Sequence, residues 1–444
     1  MKQYKGNIYL IDDNFKTRIS GVVLTIENDN FEIEFPDNSY RRSDYKIIQG
    51  EFIDLGLATL IDCTLSGSTM SVINLTKYRV QHIITDVKFG YDESIIASGL
   101  NVKMPALKEW FNESSLSGHL ILKSKIEYTP IEKKLLFENE NFSVHIAFYL
   151  IQSWKRNESL TLSEYCELQI KSKANSVDYL ELYNIYKKIK MFLGFIGVFS
   201  TQQDEFYLVE ENIIHDGQID PLKMNFYTGA FDTNNNGVLA HDRIMFNDIK
   251  EKISLIMNNW IKDEKLQDSI ILVMEKYTFI RLTVETYFLN TCIAIETFHR
   301  KNKFNEIFPT NQFNKIKRGI RNKLTSAEEI NLFNDKLIYA NEPSFNQRLT
   351  SLKSEFEAIT DQIDIEDYIL KIVKTRNYLV HRGSKTNILT GLKLFYAALY
   401  IETLTKYCIM ESIGIEKDML DRIFAQTGKK IGNFYELNVN RKSL

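Results

Sequence analysis

The hydrophobic pattern of this chain changes period once, near residue 240, and that change constrains the fold more than any single motif. N-terminal to it, apolar residues come in short runs with turn residues between them. Phe31-Glu32-Ile33-Glu34-Phe35 alternates with period two, as a strand with one buried face does. Asn28-Asp29-Asn30 makes a turn between it and Val22-Val23-Leu24-Thr25-Ile26. Ala58 to Leu65, Tyr78 to Val87, Gly118 to Ile126, Phe142 to Leu150 and Leu160 to Ser172 read as further strands. Met104 to Asn112 reads as a short helix, and Ser176 to Phe195 has helical period through Val177, Leu180, Leu182, Ile185, Ile189 and Phe192. Glu205 to Val209 and Lys223 to Tyr227 read as closing strands. From Phe246 onward the expected helices are Ile249–Trp260, Leu266–Lys276, Tyr277–Lys301, Gln312–Leu324, Phe345–Ile359, one capped by Asp364 and ending at His381, and a last long one over Ile388–Ile413. The expected class is α+β and multidomain: a β-rich N-terminal domain over residues 1–235, built as a sandwich or barrel, then an all-α helical bundle over 236–444.

The boundary itself is Asp232-Thr233-Asn234-Asn235-Asn236-Gly237, which has the look of a calcium-binding loop. Position twelve of such a loop needs a bidentate glutamate and here holds Arg243, so the stretch reads as a polar linker. Cys63, Cys166, Cys292 and Cys408 stand about a hundred residues apart with no C-x-x-C pair, which disfavours zinc and fits a reducing compartment. A net charge of -3 excludes a uniformly basic nucleic-acid coat, so any RNA contact must use a local patch. Met1-Lys2-Gln3-Tyr4-Lys5-Gly6 lacks the apolar core of a signal peptide, and no apolar run reaches the ~18 residues of a membrane span. A cytoplasmic protein with no membrane association and no cofactor is expected.

The chemistry-bearing stretch is Lys371-Ile372-Val373-Lys374-Thr375-Arg376-Asn377-Tyr378-Leu379-Val380-His381-Arg382-Gly383. It reads as the end of a helix, with Gly383 where a C-cap would fall. Asn377 and His381, four apart, share a face. Arg376 lies well round from His381, with a side chain long enough to reach back. An arginine fork matches phosphate oxygens, and an imidazole moves protons near neutral pH. On spacing alone the same residues also fit a structural role, Arg376 bonding carbonyls and His381 capping the helix.

Thr375-Arg376-Asn377-Tyr378-Leu379-Val380-His381 resembles the R-N-x3-H signature of HEPN domains. Upstream, Ala294-Ile295-Glu296-Thr297-Phe298-His299-Arg300 resembles the A-hydrophobic-E-x3-R helix of the ApeA-like anti-phage branch. The resemblance covers the C-terminal half well and the N-terminal half loosely. It implies a metal-independent ribonuclease, with no metal and no cofactor, acting on RNA and often on tRNA. It implies a homodimer whose two Arg-His motifs form one site, and an N-terminal domain that senses or regulates, with a phage-derived trigger as its partner. The candidate catalytic set is Arg376, Asn377, His381 and Glu296. Glu296 either approaches the Arg-His site, as the resemblance implies, or forms a plain i, i+4 pair with Arg300. Lys374, Arg382 and Lys385, flanking the motif with Lys371, and Arg318 and Arg321 within the run Lys315, Lys317, Arg318, Arg321 and Lys323, are candidate RNA contacts or simply solvated faces. Two other readings stay open: a non-catalytic HEPN module that dimerises or binds nucleotide beside a partner, and a toxin restrained by a nucleotidyltransferase antitoxin.

Overall fold

The structure is a computed structural model. It describes residues 1–10, 17–27, 30–36, 42–69, 74–89, 93–117, 127–155, 159–200, 202–210, 214–215, 218–219, 222–228, 243–278, 282–303, 305–353, 365–383 and 385–439. The expected strand at 118–126, the linker at 232–237 and the cap at Asp364 lie outside the described residues. The chain divides into two compact units. One comprises Met1–Leu193, Val198–Thr233 and Met245–Asn247; the other Gly194–Gly197, Asn234–Ile244 and Asp248–Leu444.

The first unit is strand-rich and contains a closed barrel. Its strands are β1 (Lys2–Leu10), β2 (Thr17–Glu27), β3 (Asn30–Pro36), β4 (Asp44–Phe52), β5 (Gly56–Thr69) and β6 (Leu75–Val80). They pair antiparallel in the order β5-β4-β1-β2-β3-β6, and β6 pairs back onto β5, closing a six-stranded ring. Closure removes both edges that an open sheet would leave. Alternation fills the interior: Ile8 and Leu10, Val22 and Leu24, Phe31 and Ile33, Leu60, and Tyr78 and Val80 all point inward. Gly21, at φ +77°, is the extra residue where Gly6 and Asn7 of β1 step from Val22 to Ser20 of β2. A Cβ on Gly6 would meet the Glu51 carbonyl at 2.1 Å, so β1 and β4 approach as they do only because that residue is glycine.

A bend at Gln81 ends β6 within the expected Tyr78–Val87 run, and β7 (His82–Thr85) leaves the barrel. From β7 the sheet runs on, antiparallel throughout, through Leu222–Thr228, Glu205–Glu210, Gly99–Lys103, Ser159–Ser172, Phe142–Lys155 and Lys134–Glu138. Aromatic residues of the Tyr179–Phe195 helix pack on this extension, Tyr183 against Phe226 and Tyr186 against Phe206.

The second unit is helical. Its helices include Ile253–Lys262, Glu264–Thr278, Val284–Asn302, Thr310–Arg321, Ala327–Lys336, Phe345–Leu352, Ile365–His381, Leu392–Ser412 and Lys417–Val439. Leu392–Ser412 is buried on nearly every side from Ala397 to Met410, as the central helix of a bundle must be. It packs against Val284–Asn302, Glu264–Thr278 and Lys417–Val439. The Ile388–Ile413 helix expected from sequence is therefore not the last; Lys417–Val439 follows it. Buried in the bundle, the Glu402 carboxylate accepts from Tyr277 (2.6 Å), Tyr287 and Lys276 (3.1 Å), and Lys406 stands 4.0 Å away. Among the described residues no helix is long and apolar enough to cross a membrane.

Candidate functional site

The helix carrying the motif, Ile365–His381, buries Tyr368, Ile369, Ile372 and Thr375, a stripe at helical spacing. Thr375 does more than pack. Its hydroxyl donates to the Lys371 carbonyl at 2.7 Å and accepts from the Leu389 amide at 2.8 Å, so the segment that follows the helix is tied back to its last turns. The helix ends on Arg382, at φ +53°, whose amide donates to the Tyr378 carbonyl at 2.7 Å. The left-handed residue expected at Gly383 is thus Arg382, a conformation that costs a non-glycine residue about 1–2 kcal/mol. It turns the Arg382 guanidinium over the Tyr378 ring, where the Lys385 ammonium also lies.

This turn shapes a cleft of about 480 Å³ lined by Lys374, Asn377, Tyr378, His381, Gly383, Thr386 and Asn387. Asn377 and His381 share it, as their four-residue spacing requires. Lys374 adds a cation at its wall.

Arg376 turns the other way. Its Nη2 donates to Glu296 Oε2 at 3.3 Å, across to the Val284–Asn302 helix, and its Nη1 reaches Asn377 Oδ1 at 3.4 Å. The guanidinium also lies 5.6 Å from the centre of the Phe345 ring, a cation–π contact. Asn377 therefore links the Arg376–Glu296 pair to the cleft holding His381. The second oxygen of Glu296 accepts from Arg300 at 3.5 Å, so the i, i+4 pair stands beside the contact with Arg376. Arg376 and Glu296 are each about a quarter exposed, with side-chain exposures of 27% and 22%. Near them the Cys292 thiol lies buried, one turn before Glu296 on the same helix; burial pushes its pKa up, the nearby Arg376 charge opposes this and Glu296 reinforces it. A thiol held protonated in this way is no nucleophile.

Sequence reasoning missed what lies behind the pair. Arg300 also reaches Glu342 at 3.4 Å, and Glu342 accepts from the buried Arg348 at 3.2 Å. Arg348 also donates to His299 Nδ1 at 3.0 Å and to Asn305 at 2.7 Å. A signal existed: Ser344 and Gln347 form a capping box that starts the Phe345–Leu352 helix and fixes Phe345 and Arg348 on it. Arg318 and Arg321 lie on Thr310–Arg321, a helix with no buried residue, and neither lines the cleft. Among the described residues no group of three His, Cys, Asp or Glu side chains is placed to hold a metal ion.

The helical bundle thus carries Arg-Asn-x3-His at one helix end, its arginine paired to a glutamate of a neighbouring helix, and a barrel-bearing β unit precedes it in the sequence. The family models agree on both halves. The Apea-like HEPN model matches residues 289–419, and the ApeA N-terminal domain 1 model matches residues 3–260. The chain belongs to the ApeA-like HEPN family of anti-phage defence effectors. No curated protein and no solved structure matches it.

Proposed function

We propose that this chain is a metal-independent endoribonuclease of bacterial anti-phage defence, cutting RNA, tRNA among the candidates, at a site shared by two copies. Residues 236–444 form the nuclease domain, and residues 1–235 form a sensor that a phage-derived trigger engages in the cytoplasm. The observation that carries the reading is the Arg376–Glu296 pair joined through Asn377 to the cleft that holds His381.

In the reaction a deprotonated His381 removes the proton of an RNA 2′-hydroxyl. The 2′-oxygen bonds to the adjacent phosphorus, and the bond from phosphorus to the 5′-oxygen breaks. A second, protonated imidazole gives its proton to the departing oxygen. The products are a 2′,3′-cyclic phosphate and a 5′-hydroxyl. Arg376 balances the charge that builds on the phosphorane oxygens. Asn377 orients the phosphate, and Lys374, Arg382 and Lys385 follow the backbone.

One chain supplies one imidazole, whereas the reaction needs both a base and an acid. Two copies about a two-fold axis supply both, and such symmetry is the commonest among oligomers. Val380, half exposed beside His381, and Leu392, at the start of the next helix, offer apolar surface for that contact. The deciding experiment sequences cellular RNA ends after induction of the wild type and of His381→Ala. New ends that depend on His381 support a nuclease. Equal RNA in both strains, with toxicity retained, would instead support a binding module acting beside a partner.

A further inference from the structure

We propose that Arg348 is a positioning residue of this site, a buried guanidinium that fixes Arg376 from two directions. The inference rests on the ribonuclease reading and concerns how its arginine is held.

Arg348 is 1% exposed; both its Nη nitrogens are matched, while its Nε finds no acceptor among the described residues. Its partners come from three segments: His299 on Val284–Asn302, Asn305 just beyond that helix, and Glu342 before Phe345–Leu352. The tautomer of His299 follows from the bonds around it. The Ser351 hydroxyl donates its proton to the Arg348 carbonyl at 2.8 Å, so it can only accept from His299 Nε2, 2.9 Å away. His299 Nδ1 then carries the lone pair that Arg348 Nη1 meets. A neutral His299 and a charged Arg348 thus lock the Phe345–Leu352 helix onto Val284–Asn302.

Two routes run from this lock to Arg376. The first is a chain of alternating charge: Arg348 holds Glu342, Glu342 holds Arg300, Arg300 holds one oxygen of Glu296, and the other oxygen holds Arg376. The second is the helix itself, whose first residue, Phe345, presents its ring to the Arg376 guanidinium. The links from Glu342 outward are each partly exposed pairs of small worth taken alone. Together they fix a long, flexible side chain, and a shift of the reacting groups by 1 Å costs about a hundredfold in rate. A lysine at 348 would keep the charge but present one nitrogen where the fork meets His299, Asn305 and Glu342 separately.

The test measures kcat and KM for cleavage of an RNA oligonucleotide by the full-length protein, beside a melting curve. The variants are Arg348→Lys, Glu342→Gln, Phe345→Leu and the Glu342→Gln/Phe345→Leu double, with His381→Ala as reference. Arg348→Lys should lower kcat by roughly 10- to 100-fold with KM nearly unchanged. Glu342→Gln and Phe345→Leu should each lower kcat by less, and the double should match Arg348→Lys. The double also decides the matter if Arg348→Lys does not fold. A folded double with wild-type kcat, or a loss confined to KM, would overturn the positioning role while leaving the nuclease intact. If wild type and His381→Ala alike leave RNA uncut, the ribonuclease reading fails and this inference falls with it.

Discussion

Glu296→Gln separates the charge of the site glutamate from its shape. The substitution keeps one carbonyl oxygen to accept from an arginine but removes the charge that Arg376 and Arg300 share. Stability should change little. Both pairs are partly exposed, with Arg300 at 52%, and pairs of that kind contribute about 0–1 kcal/mol each. Rate should change much more. A hydrogen bond to a charged group contributes about 1.5–3 kcal/mol, and if that hold on Arg376 is lost in the transition state, kcat falls roughly 10- to 150-fold. Affinity should move in the opposite sense, because removing a negative charge near the phosphate path favours RNA binding. The assay is single-turnover cleavage of a labelled oligonucleotide, with affinity measured separately on a 2′-O-methyl analogue that cannot be cut. Weaker binding with unchanged single-turnover rate would refute the argument, since it would make Glu296 a contact for RNA and not the partner of Arg376.

His381→Ala and Arg376→Ala should each abolish toxicity on overexpression with melting curves close to wild type, because neither side chain is buried; full toxicity in either sinks the assignment. Cleavage should survive EDTA and leave 2′,3′-cyclic phosphate ends, read by resistance of the product to phosphatase until acid opens the ring. Glu402→Gln should destabilise the helical unit by about 3–5 kcal/mol, because Lys276 and Lys406 lose their buried counter-charge. Burial alone would raise the Glu402 pKa; Lys276, Lys406, Tyr277 and Tyr287 outweigh it and hold the carboxyl below its ordinary value. Stability from this group is therefore present above the unfolded value and lost as pH falls through the lower folded one. Denaturant titrations at successive pH values should show a shallower acid slope in Glu402→Gln than in wild type.

How much of this was legible in the sequence depends on the range of the interaction. Phe31 to Phe35 announced a strand because alternation is local, and the motif helix announced itself through the apolar positions Ile372, Val373, Leu379 and Val380, of which the structure buries Ile372. Barrel closure was not legible, because the β5–β6 pairing that completes the ring joins runs whose own pattern is the same in an open sheet. β1 and β4 went unread because glycines interrupt both, Gly6 and Gly50, where the Phe52 side chain crowds in. Lys417–Val439 went unread because its polar residues outweigh its few large buried apolar ones, Leu420, Phe424 and Ile431 among the described side chains, so only its packing on the central helix makes it necessary. At the site, the i, i+4 pair of Asn377 and His381 was a matter of helix geometry. The partnership of Arg376 with Glu296 crosses eighty residues and came only through resemblance. Arg348, His299 and Glu342 carried no pattern, because a buried ion chain is specified by three-dimensional neighbours and by nothing periodic.

The helical unit holds two networks of charge, and their difference in closure separates structure from function. Around Glu402, two lysines and two phenols converge on one carboxylate that is 3% exposed. Every donor points inward to the same acceptor, so the cluster has no face on which a ligand could act, and its part is to fix how Leu392–Ser412 sits against Glu264–Thr278 and Val284–Asn302. Around Glu296, three arginines meet two glutamates, and exposure rises from Arg348 to Glu342 to Arg300. That chain is anchored inside, opens to solvent and carries one positive charge beyond what its own carboxylates neutralise. On the ribonuclease reading proposed above, a phosphodiester supplies that missing charge, and Arg376, a quarter exposed, is the arginine of the chain that Asn377 joins to the His381 cleft.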